Sequence, residues 1–105
     1  MSEEKLSEIR EKMDAVQSLK RAPSQNTIFF HLLGTGKTMT VREISVELGL
    51  TPKATERAVA KLLEKGLIQR APFRQRSYAC DSKEILLGLL LTLNELQERL
   101  EKRGI

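Results

Sequence analysis

Tryptophan is absent from this chain of 105 residues, and the aromatics that do occur are three Phe and one Tyr. So few rings exclude an aromatic platform on which a run of unpaired bases could stack. Cysteine occurs once, as Cys80, and histidine once, as His31, which removes both an internal disulfide framework and a zinc cluster built within one chain. No apolar stretch approaches the length of a membrane span. The N-terminus opens with Ser2, Glu3 and Glu4, where a secretory signal would need basic residues before an apolar run. No nucleophile stands with a base partner. These gaps lead us to expect a cytoplasmic protein that is not an enzyme, with no metal, cofactor or membrane partner.

What is present is a globular balance of 40% hydrophobic and 30% charged residues, enough for one small domain with helical appendages. The formal charge is +4, from 18 Lys and Arg against 14 Asp and Glu. Its distribution is uneven. Residues 1–22 hold five acids and five bases and residues 77–105 hold five acids and four bases, whereas residues 37–76 hold nine bases against four acids. A basic excess concentrated in one segment points to an anionic partner.

Periodicity supplies the elements. Leu6, Ile9, Met13 and Val16 form a narrow seam in a helix over 3–20 capped by Ser2. Pro23 ends that segment, and a second helix is expected from a Ser24 cap through Ile28, Phe29, Phe30, Leu32 and Leu33, followed by a loop from Gly34 to Thr38. Thr40 with Glu43 makes a capping box for a short helix bearing Val41, Ile44 and Leu48. After Gly49 and Leu50, Thr51 caps another helix with Pro52 at its first position. One face of that helix carries Thr55, Ala58, Val59 and Leu62; the other carries Lys53, Glu56, Arg57, Ala60, Lys61 and Glu64. Two short strands, 67–70 and 77–80, flank a turn at 72–76, and a last helix runs from an Asp81 cap to about Lys102.

Two helices across a tight turn, followed by a two-stranded ribbon with a basic tip, make a helix-turn-helix with a wing. The stretch T-V-R-E-I-S-V-E-L-G-L-T-P-K-A-T-E-R-A-V-A-K-L-L-E-K-G-L-I-Q-R (40–70) and the ribbon end R-S-Y-A (76–79) resemble the winged helix-turn-helix domains of prokaryotic transcription regulators, especially the MarR and TrmB groups. The resemblance implies a mainly α fold with a small β wing, and double-stranded DNA as the partner. It also makes small-molecule control conceivable, although no residue identifies a ligand.

The chemistry of the residues agrees. A helix at 52–65 can enter the major groove, where Arg57 suits bidentate contact with guanine, Lys53 shares its row, Lys61 suits phosphate, and Glu56 could accept from cytosine N4. Thr40 and Thr51 stand at helix N-termini, where hydroxyl and N–H groups can hold a phosphate oxygen. Arg42 joins this basic surface, and Arg74, Gln75 and Arg76 at the ribbon tip can follow the backbone or enter a minor groove. Phe73 could pack on the body or touch DNA. Gly34-Thr35-Gly36-Lys37-Thr38 resembles the end of a phosphate-binding loop, but His31 stands where that pattern needs a glycine. A connector in which Lys37 reaches phosphate is the favoured reading. His31 is expected at the core or its boundary, and Cys80 as a small buried residue rather than a redox sensor or half of an intersubunit disulfide.

The ends carry seams without an evident cover: Leu6, Ile9, Met13 and Val16 at one end, and Leu86, Leu89, Leu93, Leu96 and Leu100 at the other. The two helices could pair within one chain. A symmetric homodimer is favoured, because the last leucines reach beyond the domain. The expected organisation is therefore a dimerisation helix at 1–22, a winged helix-turn-helix DNA-binding domain at 23–81 and a second dimerisation helix at 82–105. The leading expectation is a nucleoid-associated, sequence-specific transcription regulator. A sequence-neutral architectural DNA binder and a protein-interaction module are the alternatives.

Overall fold

The computed structural model describes residues 2–104; Met1 and Ile105, the outer ends of the segments expected at 1–22 and 82–105, lie outside the described residues. Helix α1 (Glu3–Ser18) starts where the Ser2 side chain accepts from the Lys5 N–H, and continues into a 3₁₀ turn at Leu19–Arg21. It thus stops being α-helical two residues before the expected end. Helix α2 (Pro23–Thr35) begins two residues earlier than a Ser24 cap would allow. Proline at the first position needs no N–H partner, and Ala22 precedes it without a side-chain cap. At its far end Gly34 and Thr35 remain helical, and Gly36, at φ +66°, ends the helix in a left-handed turn.

Strand β1 (Met39–Thr40) leads directly into α3 (Val41–Leu48); α4 (Pro52–Glu64), β2 (Gln69–Arg70), β3 (Ser77–Ala79) and α5 (Ser82–Lys102) follow. The sheet is antiparallel with order β1-β3-β2, pairing Thr40 with Ser77 and Arg70 with Tyr78. The fold is thus mainly α with a small β wing, as expected. The third strand was not expected, and Leu67 and Ile68, expected to be strand residues, are instead buried core residues ahead of β2.

Leu19, Ile28, Phe29, Leu32, Ile44 and Leu62 are fully buried and join α2, α3 and α4 into the body. Thr55 is equally buried, and its hydroxyl is satisfied by donating to the carbonyl of Thr51 at 2.9 Å. The Lys65 ammonium donates to Gln25 Oε1 at 2.7 Å and ties the end of α4 to α2.

Helix α5 lies against α1. A Cβ placed on Gly88 would come within 2.6 Å of Met13 Cε, so the Met13 side chain fills the notch that glycine leaves between the helices. Glu84 receives Lys12 at 3.1 Å and Lys5 at 3.5 Å, and Arg10 meets Glu95 at 2.8 Å. In this pairing Ile9 and Met13, at 1% and 9% exposure, are buried within their own chain, and Leu6 and Val16 are half-buried. Leu86, Leu89, Leu93, Leu96 and Leu100 stay exposed, with Leu90 beside them. The first five each follow by one residue the stripe that faces α1 and so lie about 100° round the helix from it, with Leu96 at the edge of the groove between the two helices. No described helix is long and apolar enough to cross a membrane.

Candidate nucleic-acid interface

The capping box at the start of α3 is complete. Thr40 Oγ1 accepts from the Glu43 N–H at 3.2 Å, and Glu43 Oε1 accepts from the Thr40 N–H at 2.9 Å. Gly49, at φ +66°, closes α3, and the Leu50 N–H returns to the carbonyl of Ser45. Thr51 Oγ1 then accepts from Ala54 N–H at 3.1 Å and starts α4. The turn between the helices is short because both of its ends are satisfied locally.

Helix α4 divides as its pattern predicts. Thr55, Ala58, Val59 and Leu62 are buried, while Lys53, Glu56, Arg57, Ala60, Lys61 and Glu64 are exposed. Lys61 pairs with Glu64 at 3.4 Å. Among the described residues Lys53 and Arg57 have no ion-pair partner. They present two positive groups, one helical turn apart, directly to solvent.

The wing hairpin is closed by the Ala71 N–H donating to the carbonyl of Ser77 at 2.9 Å. Buried Ser77 donates its hydroxyl to the carbonyl of Arg74 at 2.6 Å and braces the tip. Arg76 adopts φ +56°, a left-handed conformation that is uncommon outside glycine. Phe73 does not pack on the body: at 98% exposure it projects from the tip.

Between α4 and the wing runs an open groove of about 1070 Å³, to which Thr40, Arg42, Glu56, Arg70, Gln75 and Arg76 contribute. The groove gathers five of the expected residues and adds Arg70, which sequence reasoning passed over. Its signal was the hairpin register: Arg70 pairs with Tyr78, so it belongs to the same ribbon as Arg76. Thr51, Lys53, Arg57 and Lys61 stand outside the groove lining, on α4 or its cap.

Arg74 departs from the expected arrangement. Its Nη1 lies 2.9 Å from Glu43 Oε1 and 3.4 Å from the carbonyl of Thr38, so it is turned back onto the start of α3. The Thr40 N–H, then Arg74, hold the Glu43 carboxyl below its ordinary pKa. Thr40 is likewise occupied, since its N–H and hydroxyl oxygen both serve the cap. Its hydroxyl hydrogen is what it has left for a phosphate.

The glycine-rich connector lacks the setting of a nucleotide loop, since a helix precedes it. Lys37 lies 3.6 Å from Glu47, whose other oxygen is 2.6 Å from His31 Nε2. His31 and Lys37 together hold Glu47 below its ordinary pKa, with the His31 hydrogen bond the larger cause. Cys80 is half-buried, and burial, followed by the negative charge of Asp81, pushes its thiol up to about 11. That environment opposes the thiolate a redox sensor needs. Among the described residues no three His, Cys, Asp or Glu side chains are grouped to hold a metal ion.

Comparison with known proteins gives one match: the sequence profile of the MarR family fits residues 19–76, from the 3₁₀ turn to the wing. Neither the curated proteins nor the solved structures gave a match.

Proposed function

The chain belongs to the MarR family of DNA-binding transcription regulators, and from that premise we propose that it acts as a homodimer on a specific duplex sequence. Helix α4, within 52–65, lies in the major groove. Arg57 reads guanine, Lys53 and Glu56 contact neighbouring base edges, and Lys61 and Thr51 meet phosphate. The wing at 72–76 follows the backbone through Gln75 and Arg76, while Arg42 and Thr40 face the strand between wing and helix. The observation that carries this reading is the exposed row of Lys53 and Arg57, without ion-pair partners among the described residues, on the helix that the turn presents.

The domain division goes with it. Residues 23–81 bind DNA, and the two terminal helices, paired with each other in each protomer, form the dimerisation arm. Six leucines exposed on α5 support this, because covering the half of each that remains exposed is worth roughly 1 kcal/mol. A dimer reading successive major grooves holds its two α4 helices about 34–36 Å apart and calls for a near-palindromic site. The protein works in the cytoplasm, on the nucleoid.

Selection of bound duplexes from a random pool tests the reading. A recurrent near-palindromic sequence is expected, bound at least about a thousandfold more tightly than random duplex at moderate salt. Equal affinity for both would replace the regulator by an architectural binder, and absence of binding at low salt would leave only a protein-interaction module. Arg57→Ala should relax preference at one position of each half-site, and Arg76→Ala should weaken all sequences alike. A monomer mass at micromolar concentration would remove the dimer.

A further inference from the structure

Nine bases make the middle segment positive, yet one of the cations nearest the wing tip is already neutralised from within. We propose that Glu43 is a built-in competitor for DNA phosphate: its carboxylate occupies the wing arginine, Arg74, and holds duplex affinity below what the basic surface would otherwise give. The proposal rests on the DNA-binding reading above and concerns one contact within it.

Three observations place Glu43 in this role. The first is distance: Arg74 Nη1 is 2.9 Å from Glu43 Oε1, the geometry of a charge-assisted hydrogen bond. The second is support from both sides. Glu43 is held at the third position of α3 by the Thr40 N–H, and Arg74 is held in the hairpin by Ser77, whose residue pairs with Thr40 across β1 and β3. The contact therefore joins two elements that the sheet already brings together. The third is accessibility: the side chains are 44% and 50% exposed, so a phosphate oxygen can reach the guanidinium and replace the carboxylate. A pair this exposed is weak enough for DNA to displace, yet it must be broken first.

Glutamine at position 43 keeps the capping box, which accepts Glu or Gln, and removes the charge that binds Arg74. The test measures binding of a random-sequence 20-base-pair duplex to the full chain, to Glu43→Gln, to Arg74→Ala and to the double variant, over a range of salt. Glu43→Gln should bind about two- to fivefold more tightly, the worth of an exposed ion pair. Adding Arg74→Ala to it should erase that gain, whereas Arg74→Ala alone should change affinity less than it does in the Glu43→Gln background. If the double variant keeps the whole gain, Glu43 acts only by general repulsion of phosphate and the proposal is overturned; an unchanged Glu43→Gln overturns it as well. A side-chain NMR spectrum of the unaltered chain gives a second reading, in which duplex should shift the Arg74 guanidinium resonances and unshifted resonances count against the exchange. Failure of the unaltered chain to bind any duplex at low salt removes the DNA reading itself, an outcome distinct from binding that ignores position 43.

Discussion

Phe29 and Phe73 carry the same side chain into opposite surroundings. The first is fully enclosed among α2, α3 and α4, and the second is 98% exposed at the wing tip. Truncation should separate them: Phe29→Ala is expected to cost about 3–5 kcal/mol in urea unfolding, and Phe73→Ala to stay within about 0.5 kcal/mol. Cys80 gives a prediction in pH. Its thiol is raised from 9.0 to about 11, so the folded chain holds this proton where the unfolded chain has begun to lose it. Stability from this group is fully present below 9 and is lost as pH rises through about 11. Alkylation of the folded chain at pH 8 should accordingly be much slower than in urea, and a rate equal to that of the unfolded chain would contradict the burial.

Among the elements, those with a long period or a chemical cap were readable from residues alone. Thr40 with Glu43, Thr51 with Pro52, and the division of α4 into two faces follow from side-chain chemistry within four residues, and the structure has them in place. Strand β1 was not readable, because two residues show no alternation and their pairing partner lies 37 positions away for Thr40 and Ser77. Arg74 was readable as a wing residue, but its contact with Glu43 was not, since its direction depends on that same long-range pairing. Thr40 makes the dependence measurable. Thr40→Ala removes the cap oxygen and should destabilise the chain by about 1 kcal/mol, as a shift of the urea midpoint with unchanged slope. Loss of helix without a change in midpoint would contradict it.

At the level of the whole molecule, the chain spans 50 × 27 × 21 Å, with α1 and α5 paired beside the winged body. Their seams were visible in the sequence, but how the apolar residues would be shared was not. Period alone cannot tell a partner in the same chain from one in another, and the notch at Gly88 is a property of two helices at once. That notch can be tested by size. Gly88→Ala should be nearly neutral, because helix propensity rises while only the flexible end of Met13 must move. Gly88→Leu should cost about 1–3 kcal/mol in thermal or urea unfolding, by forcing the helices apart. Equal effects of the two would mean that the approach is not limiting.

Thr40 is at once the end of β1, the partner of Ser77 and the cap of α3. The hairpin and the helix-turn-helix are therefore joined at Thr40, with Met39–Tyr78 pairing and the Arg74–Glu43 contact beside it, and cannot pivot independently without breaking strand pairing or cap. The two sides of the groove behave like the jaws of a caliper, their gap fixed by the body and not by the object measured. On the proposed DNA-binding reading, discrimination would extend beyond bases and charges to the width of what is gripped: a helical polymer with the right chemistry but the wrong groove dimensions would fit one jaw at a time.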